Sequence, residues 1–135
     1  MAELKTKIND ASVADFLSAI PDAQAREDCR TITTIMQAAT KSKPKMWGPS
    51  IVGFGEHRVV YAGGREADWM MMGFSPRKQN VVLYGIHQND ELLAKLGTHS
   101  CGKGCLYIKR LSDVHLPTLK KLVSTSVKRK TKANS

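Results

Sequence analysis

The chain has few of the features that would assign it to a special class of protein. It has no run of about 18 apolar residues, the length that a membrane-spanning helix needs. Residues 1–10 lack the apolar segment of a signal peptide. Only three cysteines occur, an odd number that does not suggest a disulfide framework. These absences predict a cytoplasmic protein with reduced thiols and no contact with membranes.

Recognisable catalytic motifs are also missing. The sequence contains neither a G-x-S-x-G nucleophile elbow nor an H-E-x-x-H zinc motif, and its four histidines are scattered. No nucleophile with a neighbouring base stands out, and no pair of carboxylates suggests a catalytic cleft. We therefore expect a binding protein rather than an enzyme, and catalysis stays open as the alternative.

What is present is the composition of one globular domain with an uneven charge distribution. The chain has 135 residues, 41% of them hydrophobic, which suffices for one core. Its net charge is +9, and basic residues crowd the last 16 positions. We predict a single domain over residues 1–127 and a basic, flexible tail over residues 128–135. Such a tail either binds nucleic acid weakly through its charge or only keeps the chain soluble.

Hydrophobic periodicity predicts helices near both ends of the chain. Apolar residues recur at helical spacing over residues 12–20 and 22–40. A short helix is predicted over residues 89–96, followed by a glycine, and a last helix starts near Pro117. Ser12 stands where an N-cap is expected. The helices therefore flank the middle of the sequence.

The middle of the chain has the pattern of short strands. Glycine, proline, asparagine and charged clusters separate five β-rich segments. These are residues 50–55, 58–62, 69–74, 81–86 and 106–110. Residues 41–49 are predicted to form a loop. Together the pattern predicts an α+β fold, with a five-stranded antiparallel sheet and the N- and C-terminal helices packed on one of its faces.

Aromatic and basic residues gather at the ends of the predicted strands and loops. Aromatic rings can stack on a planar ligand, and adjacent Arg and Lys side chains can hold a phosphate or carboxylate. We predict a ligand-binding pocket formed by Trp47, Trp69, Arg77, Lys78, Tyr84 and Tyr107. In the alternative interpretation Trp47 only packs against the sheet, and the two basic residues form a solvated turn.

A second constellation has the residue types of a metal site. His99, Cys101 and Cys105 offer three zinc or iron ligands within seven residues. Structural zinc sites usually need a fourth ligand and other spacings. In the alternative interpretation Cys105 is a core residue at the start of a strand.

Four short motifs resemble a known bacterial family. They are MWG at residues 46–48, SIVGFG at 50–55, GFSPRK at 73–78 and CLYIKRL at 105–111. Together they resemble the YdhG-like family, long described as a domain of unknown function, over residues 12–127. The resemblance implies a small cytosolic α+β domain with a frataxin-like arrangement of helices over an antiparallel sheet.

The resemblance also implies a function, because some members are described as frataxin-like iron chaperones for iron–sulfur or haem assembly. Such a role needs exposed carboxylates that hold iron loosely. Asp22, Glu27 and Asp28 are the candidates in this sequence, interleaved with arginines. Three hypotheses follow, in this order: a non-enzymatic domain that binds a small anionic or planar ligand, an iron chaperone, and a weak nucleic-acid binder that uses its tail.

Overall fold

A computed structural model describes residues 8–9, 11–48, 50–60, 64, 66–102 and 105–133. It describes the side chains of residues 11–48, 50–55, 64, 70–102 and 105–129. Four α-helices are present in this part of the chain. They are α1 (Val13–Ser18), α2 (Ala23–Thr40), α3 (Asp90–Leu96) and α4 (Leu116–Ala133). Helices were predicted at all four of these places.

The helix starts follow from the capping residues. The side chain of Ser12 accepts a hydrogen bond from the Asp15 N–H, as the sequence predicted for an N-cap. Asp22 caps α2 in the same way, and Asn89 caps α3. Gly97 follows α3 with a φ of 107°, a value that side-chain-bearing residues rarely adopt.

The strands form one sheet. They are β1 (Ile8–Asn9), β2 (Pro44–Trp47), β3 (Ile51–Val60), β4 (Glu66–Pro76), β5 (Val81–Tyr84), β6 (Ser100–Gly102) and β7 (Cys105–Ile108). Their order is β1-β2-β3-β4-β5-β7-β6, and every neighbouring pair is antiparallel. The α+β class and the antiparallel sheet are thus confirmed.

The predicted number of five strands is wrong. The sheet has six strands of at least three residues and the two-residue β1. The predicted strands 50–55 and 58–62 are joined in one strand, β3, because Gly55 takes a φ of 67° inside it without shifting the pairing with β4. Residues 61 and 62 of the second prediction lie outside the described residues. The predicted loop 41–49 contains β2, in which Pro44 is the first residue, a position that proline tolerates in a strand.

One face of the sheet packs against the helices. Val81, Leu83, Leu106 and Ile108 alternate along β5 and β7 and join α2 and α4 in one buried core. Residues that are directly paired across antiparallel strands project to the same side of the sheet. The intervening positions on these strands therefore project to the opposite side.

The basic segment at the end of the chain continues a helix. α4 runs through Lys128 and Arg129 to Ala133, so residues 128–133 of the predicted tail 128–135 continue this helix. Residues 134–135 lie outside the described residues. Leu119, Leu122 and Val123 bury the other side of α4 in the core. No helix in the described part of the chain is both long enough and apolar enough to cross a bilayer.

Candidate anion-binding cleft

The turn between β4 and β5 presents two cationic side chains. Pro76 pairs with Val81 in the last rung between the strands, and the Arg77 N–H donates to the Asn80 carbonyl oxygen at 2.7 Å. Because proline has no N–H, it cannot add a further ladder hydrogen bond of its own. The side chains of Arg77 and Lys78 are exposed at this turn. The predicted short basic loop between two strands is therefore present.

A second basic pair follows β7 at the same end of the sheet. β7 ends at Ile108, which pairs with the first residue of β5, and Lys109 and Arg110 come next. Both are exposed. The N–H of Leu111 then donates to Oδ2 of Asp28 at 3.0 Å. This hydrogen bond ties the chain after β7 to α2 and fixes where the basic pair lies.

The beginning of α2 forms the facing wall. Its N-cap Asp22 accepts a hydrogen bond from the Ala25 N–H through Oδ2 at 2.8 Å. The Arg26 guanidinium donates to the Ile20 carbonyl oxygen from Nε at 3.1 Å and from Nη2 at 3.0 Å. These contacts hold the turn before α2 against the helix.

The three segments enclose one cleft with a volume of about 750 Å³. The β4–β5 turn, the two residues after β7 and the start of α2 all line it. Its charged lining residues are Arg77, Lys78, Lys109, Arg110, Asp22 and Asp28. Four cations thus face two carboxylates, and the lining carries a net positive charge.

Both carboxylates of the cleft are engaged by the protein itself. Asp28 is 5% exposed, and its Oδ1 accepts from the side-chain amide of Gln24 at 2.9 Å while Oδ2 accepts from Leu111. Asp22 is engaged as the cap of α2. Within the described residues, none of the four cationic side chains makes an ion pair with them or with any other carboxylate. No carboxylate in this part of the structure therefore neutralises the four cations.

Arg77 connects the cleft with the aromatic residues predicted for the site. Its Nη2 donates to the Tyr84 hydroxyl at 2.9 Å. Tyr84 and Tyr107 are half-buried and lie on the sheet face opposite the shared core, since their strand neighbours Leu83 and Leu106 face the core. Arg77 thus contacts Tyr84, and the two tyrosines share one face of the β5–β7 pair. The tyrosines do not line the cleft itself.

The two tryptophans predicted for the site are placed differently. Trp47 is 3% exposed, and its indole packs over Gly53, where an added Cβ would clash with Cδ1 of the ring. It does not line the cleft. Trp69 pairs with His57 between β3 and β4, and its side chain lies outside the part of the chain whose side chains the structure describes.

Of the three carboxylates predicted for iron, Asp22 and Asp28 line the cleft, and Glu27 does not. Asp22 caps α2, and Asp28 is buried with both oxygens accepting hydrogen bonds. Glu27 is exposed and lies 3.7 Å from the Arg30 guanidinium. Since successive helical residues point about 100° apart, Glu27 and Asp28 leave the helix in different directions.

The histidine and cysteine cluster is also divided. Cys101 pairs with Leu106, and Cys105 pairs with Gly102, so the two thiols project to opposite faces of the β6–β7 hairpin. Nδ1 of His99 lies 2.8 Å from the Gly97 carbonyl oxygen. Among the residues that the structure describes, no three His, Cys, Asp or Glu side chains are grouped to hold a metal ion.

The sequence interpretation missed two cleft residues, Lys109 and Arg110. Their signal was present, because two adjacent cations end the predicted strand 106–110. Only the sheet order could show that this strand end lies beside the turn at Arg77, since the two segments are about 30 residues apart in the sequence.

Comparisons of the chain with protein-family models, with curated proteins and with solved structures find no match. The resemblance of the four motifs to the YdhG-like family, and the iron-handling role that it implies, stay predictions. The function has to be argued from the geometry of the cleft.

Proposed function

We propose that this chain is a non-catalytic binding domain for a small anionic ligand, which binds in the cleft between α2 and the end of the sheet. One observation carries the proposal. Four cationic side chains from two separate segments line one cleft, while the two carboxylates of the same cleft accept hydrogen bonds from protein N–H groups.

The residue types in the cleft suit an anion. An arginine presents a planar fork of N–H donors that matches phosphate or carboxylate oxygens, and a lysine adds a mobile point charge. The cleft contains two of each, one Arg and one Lys on each segment. An oxyanion in the cleft would therefore receive charge-assisted hydrogen bonds from both sides.

The direct test is calorimetric titration with pyrophosphate and with citrate at about 0.15 M salt. The double variant Lys78→Ala/Arg110→Ala should weaken binding at least 10-fold, because hydrogen bonds to charged groups each contribute about 1.5–3 kcal/mol. Lys120→Ala/Lys121→Ala is the matched control, since it removes the same charge from exposed positions on α4 outside the cleft. Equal losses in both variants, or no binding by the wild type, would refute the proposal.

Removing the negative charge of Asp22 from the same cleft should strengthen anion binding. Asp22→Ser keeps an N-cap acceptor for the Ala25 N–H and removes a negative charge from the lining. Anion affinity should rise several-fold while the melting temperature changes little. Asp22→Ala should raise affinity as well but should cost about 1 kcal/mol of stability, because the cap is lost. Unchanged or lower affinity in both variants would place the anion elsewhere.

A further inference from the structure

The sheet face opposite the core carries two aromatic rings at adjacent positions. Tyr84 pairs with Cys105 on β7, and Tyr107 lies two residues further along that strand. Diagonal positions of this kind on neighbouring antiparallel strands place the Cβ atoms about 7–8 Å apart. Both side chains are only half-buried. The two rings therefore share one side of the sheet and retain exposed surface.

The Tyr107 ring packs against Gly102 of the neighbouring edge strand β6. A Cβ added to Gly102 would meet Oη of Tyr107 at 2.6 Å, Cε2 at 2.8 Å and Cζ at 3.1 Å. The ring therefore covers the backbone of the neighbouring edge strand β6, and only glycine leaves room for it there. The ring is half-buried, so part of its surface stays exposed.

The Tyr84 ring is joined to the basic end of the sheet. Its hydroxyl accepts the hydrogen bond from Arg77, which also lines the cleft. Lys109 follows Tyr107 by two residues, or roughly 7 Å of extended chain. Each tyrosine is thus next to one of the basic pairs.

We propose that the anionic ligand is a segment of single-stranded nucleic acid, with bases stacked on Tyr84 and Tyr107 and phosphates held by the cations of the cleft. This inference rests on the proposed function, because the phosphates use the same cations. Aromatic side chains that accept bases next to a basic groove are the usual means of binding single strands without sequence preference. A duplex keeps its bases stacked on one another and cannot offer them to the rings.

The experiment is a fluorescence anisotropy titration with a labelled single-stranded 12-mer of mixed sequence and with its duplex. The single strand should bind more tightly than the duplex, and its log affinity should fall linearly with log salt. Tyr84→Ala and Tyr107→Ala should each weaken single-strand binding about 5- to 150-fold, the range for loss of one stacked base. Tyr107→Phe keeps the ring and should bind within about twofold of the wild type.

Two controls separate this site from charge elsewhere and from misfolding. Lys128→Ala/Arg129→Ala removes charge from the exposed surface of α4 and should leave the preference for single strands intact. Ultraviolet crosslinking of the wild type to a 5-bromouracil oligonucleotide requires no variant. Its adducts should map to the peptides that contain Tyr84 and Tyr107.

The outcomes distinguish the two proposals. Adducts confined to α4, or single-strand affinity that neither Tyr→Ala variant changes, would overturn the nucleic-acid proposal. If pyrophosphate still binds through Lys78 and Arg110 in that case, the anion-binding function stands. If neither pyrophosphate nor the oligonucleotide binds, both proposals fail.

Discussion

Cys29 has a strongly raised pKa. Its thiol on α2 is fully buried, and burial raises its pKa from 9.0 to about 12, with a further contribution from the neighbouring Asp28 carboxylate. The thiolate is the reactive form of cysteine. Cys29 should therefore resist thiol reagents in the folded protein, whereas the exposed Cys101 should react.

The raised pKa of Cys29 also predicts a pH dependence of stability. Since the folded pKa lies above the unfolded one, its stabilising contribution is complete below pH 9 and is lost as the pH rises from 9 towards 12. The loss should be at most about 1.4 kcal/mol for each pH unit. Urea unfolding of the wild type and Cys29→Ala between pH 7 and 10.5 measures it. The variant should be less stable at pH 7, and the difference should shrink above pH 9; a constant difference would contradict the pKa shift.

At the scale of elements, Asp28 joins α2 to the segment after β7. It accepts hydrogen bonds from Gln24 on its own helix and from the Leu111 N–H, 83 positions away in the sequence. Asp28→Ala should lower the free energy of unfolding by about 1–3 kcal/mol, because a partly buried N–H loses its acceptor. Glu27→Ala is the control, since this exposed neighbour makes only a surface ion pair and should change stability by less than about 0.5 kcal/mol. Urea denaturation measures the stability of both variants. Equal losses of stability would show that the hydrogen bond between Asp28 and Leu111 contributes little.

At the scale of the whole molecule, the net charge of +9 attracts anions over a distance that depends on the salt concentration. Replacing Lys120, Lys121, Lys128 and Arg129 on α4 by Ala removes four positive charges outside the cleft. At about 0.15 M salt, where the Debye length is about 8 Å, pyrophosphate affinity should change less than twofold. At about 0.01 M salt the screening length grows to about 30 Å, and affinity should fall measurably. Calorimetry at both salt concentrations tests this, and an equal loss at both would mean that α4 binds the anion directly.

The helices and the class of the fold could be predicted from the sequence because their signals are local. Capping residues such as Ser12 act within one turn, and the apolar stripe of α2 repeats every three to four residues. The strand count could not be predicted in the same way. Polar residues inside β3 and the proline that begins β2 look like strand breaks in the sequence. In the fold, both segments are strands because they pair with their neighbours in the sheet.

For the candidate site, the sequence by itself determined which chemical groups are available: the Arg77–Lys78 turn, the Lys109–Arg110 pair and the tyrosines on β5 and β7. Only the tertiary structure decided which of them meet. The order β4-β5-β7 places both basic pairs at one sheet end. The β2–β3 pair buries Trp47 over Gly53, away from the cleft, and the β6–β7 register sends Cys101 and Cys105 to opposite faces. The physical reason is that the chemistry of each residue is read directly from the sequence. The proximity of two residues depends instead on strand pairing between segments that are far apart in the sequence.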